Sequence, residues 1–158
     1  MLRGNLENLP QFALPPGFCS RYFQAGDEEH WRRIQVLADL HNPITPELFR
    51  QQFGRDDRLI SERQIYLVNP GGEPIGTATA WFNDNFHGNR WGRVHWVSIL
   101  PEFQNRGLGK ALACFICHRL KELGYQRAYL TTSVQRLAAI HLYEKLGFTR
   151  VDEGITNF

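Results

Sequence analysis

The run Val97-Ser98-Ile99-Leu100-Pro101-Glu102-Phe103-Gln104-Asn105-Arg106-Gly107-Leu108-Gly109-Lys110-Ala111 decides the architecture of the whole chain. Arg93 to Leu100 has the composition of a strand, and from Gly107 to about Leu123 the apolar period becomes helical. Leu108, Leu112, Phe115, Ile116, Leu120 and Leu123 fall within an arc of roughly 140° on a helical wheel. Two glycines at the junction let backbone approach a bulky ligand without Cβ interference. The first turn of a helix leaves amide N–H groups unpaired and carries about half a positive charge. Gln104 to Ala111 is therefore suited to seat a pyrophosphate, with Arg106 and Lys110 adding charge. A P-loop would need glycine at Gln104 and Ser or Thr at Ala111, so that reading fails. A dinucleotide fingerprint would need a third glycine three residues after Gly109 and a first strand near the N-terminus, and it fails too. The octapeptide alone is also consistent with a glycine-rich helix start that holds no ligand.

Gly124 closes this helix. Ala128–Thr132 reads as a strand, Gln135–Leu146 as a helix ended by Gly147, and Phe148–Asp152 as a last strand. Upstream, Ile65–Val68 and Ile75–Phe82 read as a hairpin around Asn69-Pro70-Gly71-Gly72. Asn83–Asn89 reads as a polar, turn-rich loop. Ser20–Gln24 is a short strand. Asp27 is a cap for a helix to about Asp39, with Trp31, Ile34, Leu37 and Ala38 as its apolar positions. Thr45-Pro46-Glu47 opens a second helix through about Phe53. Met1–Gly17, ending in Pro15-Pro16-Gly17, reads as a loose N-terminal lead-in before one mixed α/β domain over 18–158.

Composition bounds the function. Of 158 residues, 42% are hydrophobic and 22% charged, which is ordinary for a globular domain with a real core. The formal net charge of +2 gives no basic face for nucleic acid. The longest apolar run, Ala111–Cys117, is too short to span a membrane. No targeting signal is visible in the first 17 residues, so the expected location is cytoplasmic. Cys19, Cys114 and Cys117 cannot form a disulfide framework. Cys114-Phe115-Ile116-Cys117 lies within a helix and has no second pair for zinc, and the six histidines show no ligand spacing, so no metal is expected.

The segment 97–109 closely resembles the acetyl-CoA motif of the GNAT superfamily of N-acyltransferases, Gln/Arg-x-x-Gly-x-Gly/Ala after an apolar-x-Pro-Glu-aromatic strand end. A second family signature stands at the family's distance, Ala139-Ile140-His141-Leu142-Tyr143-Glu144-Lys145-Leu146-Gly147-Phe148. The resemblance is strong from Val94 to Val151 and weaker over Ile65–Phe82. It implies a GNAT fold, with a mixed, mostly antiparallel twisted sheet of about six strands flanked by four helices. It implies a splayed strand whose Val97, Ser98 and Ile99 offer backbone groups to the pantetheine arm of acetyl-CoA. It also implies a pyrophosphate held on the amides of Gln104, Asn105, Arg106, Gly107, Leu108, Gly109 and Lys110. The expected reaction is direct acetyl transfer to a primary amine, on a small molecule or a peptide, and the alternative is an acyl-CoA-binding sensor.

The resemblance makes Tyr143 the acid that protonates the departing thiolate, although Tyr143 also belongs to its helix's apolar stripe with Ala139, Leu142 and Leu146. Some family members carry a Glu base on the strand where this chain has Arg93. His95, on the same face as Arg93 by alternation, is the candidate base or else a hydrogen-bonded, half-buried strand residue. Arg136 stands where family helices often carry Asn, a departure from the family pattern at a position of cofactor contact. Trp81, Phe86 and Trp91 flank the 83–89 segment, where an acceptor cleft would bring an ammonium group to Asp84. A homodimer is expected if the sheet ends on an open edge.

Overall fold

The computed structural model describes residues 1–151. Among them, six strands form one sheet: β1 (Leu2–Arg3), β2 (Cys19–Tyr22), β3 (Gln64–Val68), β4 (Pro74–Phe86), β5 (Asn89–Ile99) and β6 (Ala128–Tyr129). Five α-helices accompany them: α1 (Glu28–Ala38), α2 (Leu48–Phe53), α3 (Asp57–Ser61), α4 (Leu108–Glu122) and α5 (Leu137–Lys145). A 3-10 turn, Pro101–Phe103, links β5 to the glycine loop. The strand order is β1-β6-β5-β4-β3-β2, antiparallel throughout except for the parallel pair β5–β6. This is the expected mixed, mostly antiparallel sheet, with one helix more than expected because Asp57–Ser61 forms a short turn capped by the Asp56 carboxylate.

All five residues of β3 are buried, as befits a strand covered on both faces. The core beside it is built from Trp31 and Ile34 of α1, Phe49 and Phe53 of α2, Ile65 and Leu67 of β3, and Leu112, Ile116 and Leu120 of α4. On α1 the buried face holds Gln35 where Leu37 was expected, and Leu37 is half exposed. The reason is angular: Gln35 sits about 40° from Trp31 on the helix and Leu37 about 120° away. Asp27 does not cap α1 with its side chain. Its carboxylate instead accepts from the Gln24 amide at 2.7 Å and pairs with Arg21 at 2.6 Å.

Two expectations about whole segments are corrected as well. The segment 83–89 is not a loop: β4 runs on to Phe86, and β5 begins at Asn89. His87 and Gly88, with φ of 50° and 73°, make the two-residue turn that a twisted hairpin favours. Asp84 and Asn85 are exposed at this tip of the hairpin, and Asn83 Nδ2 donates to Tyr129 Oη at 3.4 Å. Nor is Met1–Gly17 loose. Leu2 and Arg3 pair with Tyr129 and Ala128 as an outer strand, and Leu6 is buried. Leu2 also exchanges hydrogen bonds with Thr149, at 2.9 and 2.8 Å. The anticipated final strand is thus reduced to one bridge at Thr149, with Asp152 outside the described residues. The rest of the N-terminal segment crosses α4. Cys114 Sγ and His118 Nε2 lie 2.8 and 2.9 Å from the Pro10 carbonyl, which explains why a cysteine opposite the apolar stripe is buried.

Candidate active site

β5 and β6 part company after two residues. Their parallel register holds at Gly92↔Ala128 and Arg93↔Tyr129 only. Past Tyr129 the chain turns its hydrogen bonds outward: the Leu130 amide reaches the Met1 carbonyl at 3.0 Å, and the Leu130 carbonyl accepts from the Met1 nitrogen at 2.9 Å. β5 meanwhile bulges. Thr77 faces Ser98 but Thr79 faces His95, so one extra residue is inserted opposite Ala78. Trp96 takes up the irregularity with φ of 51°, a conformation that costs a non-glycine residue about 1–2 kcal/mol. Its indole is held against Trp31 at 5.2 Å, and Nε1 donates to Gln52 Oε1 at 3.0 Å. Parting strands and bulge together open a V at the middle of the sheet.

Backbone groups of β5 line that V. The Leu100 amide bonds the Ile75 carbonyl at 2.8 Å, which makes Gly76↔Ile99 a non-hydrogen-bonded pair of the ladder. The N–H and C=O of Ile99 therefore face away from β4. The carbonyl accepts from Gln104 Nε2 at 2.9 Å, which ties the glycine loop to the strand end. Ser98 Oγ donates to Gln35 Oε1 at 2.7 Å.

The glycine loop delivers α4 with its N-terminus bare. Asn105 and Gly107 take φ of 61° and 78°, and no side chain among the described residues caps the helix. The first turn of such a helix leaves its leading amides for an outside acceptor, and Ala111 N to Gly107 O, at 3.2 Å, is the first bond back to the loop. A Cβ on Gly109 would meet only Leu142 Cδ1 at 3.7 Å and Ile99 Cγ1 at 4.0 Å, so the groove there is roomy. Of the loop side chains, Leu108 is buried in the core, Arg106 lies over the Phe103 ring, and Lys110 Nζ sits 3.7 Å from the Phe12 ring.

Two cavities meet at the V. One, of about 520 Å³, runs from Gln104 and Gly109 along α5 and is walled by Val97, Ser98 and Ile99. The other, of about 260 Å³, is walled by Arg93, His95, Trp96, Thr131 and Thr132. Asp39, Val97, Ser98, Arg136, Ala139 and Tyr143 belong to both. Tyr143 is 8% exposed, and among the described residues its hydroxyl has no hydrogen-bond partner. Burial pushes its phenol above the usual tyrosine range, with the Arg136 charge opposing, so it is protonated at neutral pH.

His95 is also buried, with Nε2 2.9 Å from Gln52 Oε1. Burial, aided by the Arg93 charge, pulls its imidazole down to about 3, so it is neutral. Burial likewise pushes the Cys117 thiol up to about 12, far from a nucleophilic thiolate. The structure thus brings Tyr143, His95, Val97, Ser98 and Ile99 to one cleft, with Gln104 and Gly109 at its far end. It leaves Asp84 outside, beside Arg90 at 3.6 Å, and stacks Phe86 on Tyr129.

Three polar residues of the site escape a reading of the sequence. Asp39 accepts from Arg136 Nη2 at 2.9 Å, from the His41 and Asn42 amides at 2.8 and 3.1 Å, and from Asn42 Nδ2 at 2.8 Å. Burial works to raise its carboxyl, but these bonds outweigh it and hold the group below the usual carboxylate range. Gln35 and Gln52 fix Ser98 and the bulge. Their available signal is a polar residue embedded in an apolar helix stripe, Gln35 beside Trp31 and Ile34, and Gln52 beside Phe49 and Phe53.

Comparison with known proteins agrees with this geometry. The profile of the Acetyltransferase (GNAT) family matches residues 34–148. A mycothiol acetyltransferase of Pseudarthrobacter chlorophenolicus is 33% identical over 151 residues, 92% of this chain and 46% of the relative. The chain thus spans about half the length of the curated relatives it matches. A GCN5-related N-acetyltransferase from Sphaerobacter thermophilus superposes with a TM-score of 0.76 at 21% identity, over 92% of this chain and 46% of that one. The NatC complex bound to Gag peptide and CoA gives 0.71 at 19%, over 85% of this chain and 86% of that one. At such identities the structures speak for the fold, and the profile match over most of the chain speaks for the family. The chain belongs to the GNAT acetyltransferase family.

Proposed function

We propose that this protein is an acetyl-CoA-dependent N-acetyltransferase that acetylates a small primary amine in a ternary complex. One observation carries the reading: a buried, protonated phenol with a free hydroxyl stands where the two cavities of a V-shaped cleft meet. The bare N-terminus of α4 and the open face at Gly109 fit a pyrophosphate, and the N–H of Ile99 fits a carbonyl oxygen gaining charge. Bound acetyl-CoA supplies an acetyl thioester, whose C–S bond is exchanged for a C–N bond to the amine. The Gln104 amide already donates to the Pro101 carbonyl at 3.2 Å, so of the expected loop the amides of Asn105 to Lys110 hold the phosphates, and Val97, Ser98 and Ile99 align the arm along the V. Tyr143 Oη gives its proton to the leaving sulfur. A neutral His95, its Nε2 directed at the same Gln52 Oε1 that holds Trp96, is a weak base, so the amine's proton leaves through water at the cleft mouth. With both α4 cysteines buried and protonated, transfer is direct. A cavity of about 260 Å³ suits a small acceptor.

The test is incubation with acetyl-CoA and a panel of primary amines, with products read by mass spectrometry. Acetylated product and free CoA in equal amounts are expected. Binding of acetyl-CoA without product from any amine or peptide would favour a sensor, and absence of binding would overturn the reading of the Gln104–Lys110 loop.

A further inference from the structure

The acceptor-side cavity contains an excess positive charge that nothing among the described residues neutralises. Arg93 lines it from β5, opposite Trp81 on one neighbour and Tyr129 on the other. Among the described residues its guanidinium has no ion pair or hydrogen bond, and its Nε is buried without a partner. Its one contact of note is the Tyr129 ring, 5.6 Å away. Asp39, the one carboxylate among the described residues of the cavity wall, is already saturated by Arg136 and three N–H donors of His41 and Asn42. His95 next to it is neutral. A half-buried guanidinium without a counter-charge is costly to keep unless something that binds there uses it.

We propose that Arg93 anchors the acceptor by its anionic group, so that the acceptor is a primary amine that also carries a carboxylate or a phosphate. This rests on reading the cleft as an acetyl-transfer site. The planar fork of arginine matches either anion through two parallel hydrogen bonds. No free carboxylate among the described residues of the cavity remains to hold a second cationic group, which disfavours polyamines. Thr131 and Thr132, in the same wall, can donate hydroxyls to the same anion. The amine end would then point from Arg93 toward Tyr143, which the wall shares with the acetyl-CoA side.

Matched pairs test the assignment: alanine against alaninamide for the carboxylate, and phosphoethanolamine against ethanolamine for the phosphate. Acetylation is measured as kcat/KM per free amine, and binding of the same compounds to the CoA-loaded protein is measured by calorimetry. The anionic member of one pair is expected to be favoured about 10- to 100-fold, the worth of a charge-assisted hydrogen bond. Arg93→Gln should bring that ratio near unity and Arg93→Lys should restore part of it. Arg127→Gln, which removes an arginine lying over Trp91 outside the cleft, should keep it. Equal kcat/KM within both pairs, or a preference that survives Arg93→Gln, overturns the assignment while leaving acetyl transfer intact. Arg93-dependent binding of an anionic amine with no acetylation would uphold the anchor and overturn the transferase reading. If none of the four compounds binds or is acetylated, the anchor is overturned.

Discussion

On its β4 side, β5 is paired antiparallel from Asn89 to Ile99, interrupted by the bulge opposite Ala78 and by an irregularity between Asn83 and Phe86; on its β6 side it is paired at Gly92 and Arg93 alone. The first side is flanked by the densest part of the core, where β3 is wholly buried and α4 packs across β4 and β5. The second is held apart by bonds that pull β6 outward to Met1, Leu2 and Arg3. Every buried backbone group needs a partner. Away from its bulge the β4 side satisfies its own within the ladder, while the Ile99 N–H faces the V and the first amides of α4 have no partner within the helix. Stability and chemistry thus lie on opposite edges of one strand, and changes on the two sides should have separable consequences.

The largest separable effect is in the core. Ile65→Ala, at a fully buried position of β3, should lower unfolding free energy by about 2–5 kcal/mol while leaving acetyl-CoA affinity unchanged below the melting transition. Denaturant titration beside calorimetric binding checks this, and a parallel loss of affinity would show the two sides to be coupled.

Next comes pH. His95 is held near 3 when folded, against about 6.5 when unfolded. Between those values the unfolded chain binds a proton that the folded one refuses. Stability should be intact above about 6.5 and fall as pH drops, by roughly 2 kcal/mol at about pH 5. Chemical denaturation across that range measures it, and His95→Gln should flatten this part of the slope. A slope unchanged in His95→Gln would mean that His95 titrates normally.

The smallest of the three is at the groove. Gly109→Val places its branches where the ligand would pass, yet its Cβ meets nothing closer than 3.7 Å. Acetyl-CoA affinity should fall by about tenfold, equivalent to about 1.4 kcal/mol, with the melting temperature nearly unchanged. A large loss of stability instead would place Gly109 with the core rather than with the groove.

The helices and the inner strands are legible in the sequence because their periods are set by burial. α4 follows from Leu108, Leu112, Ile116 and Leu120, and β3 from an unbroken apolar run. Legibility fails where burial stops setting the pattern. The hairpin tip at Asn83–Asn85 looks like a loop because solvent reaches both of its faces, although His87-Gly88 marks the turn. β1 is only two residues long and draws its meaning from Ala128 and Tyr129, far along the chain, so Leu2 and Arg3 have no local signature. The glycine loop after β5 and the position of Tyr143 on α5 are visible through motif and spacing. Asp39, Gln35 and Gln52 are not, because each serves through a contact between elements, and Arg136 becomes intelligible only once Asp39 is seen beside it.

In the proposed reaction the Tyr143 hydroxyl donates the proton that releases CoA. Tyr143→Phe keeps the ring in place against Phe148 at 5.8 Å and removes only the oxygen. Single-turnover acetylation of the best amine, beside acetyl-CoA binding, decides the matter. A rate about 100-fold lower or more is expected, with affinity for acetyl-CoA preserved. A Tyr143→Phe variant that acetylates at the wild-type rate would contradict it.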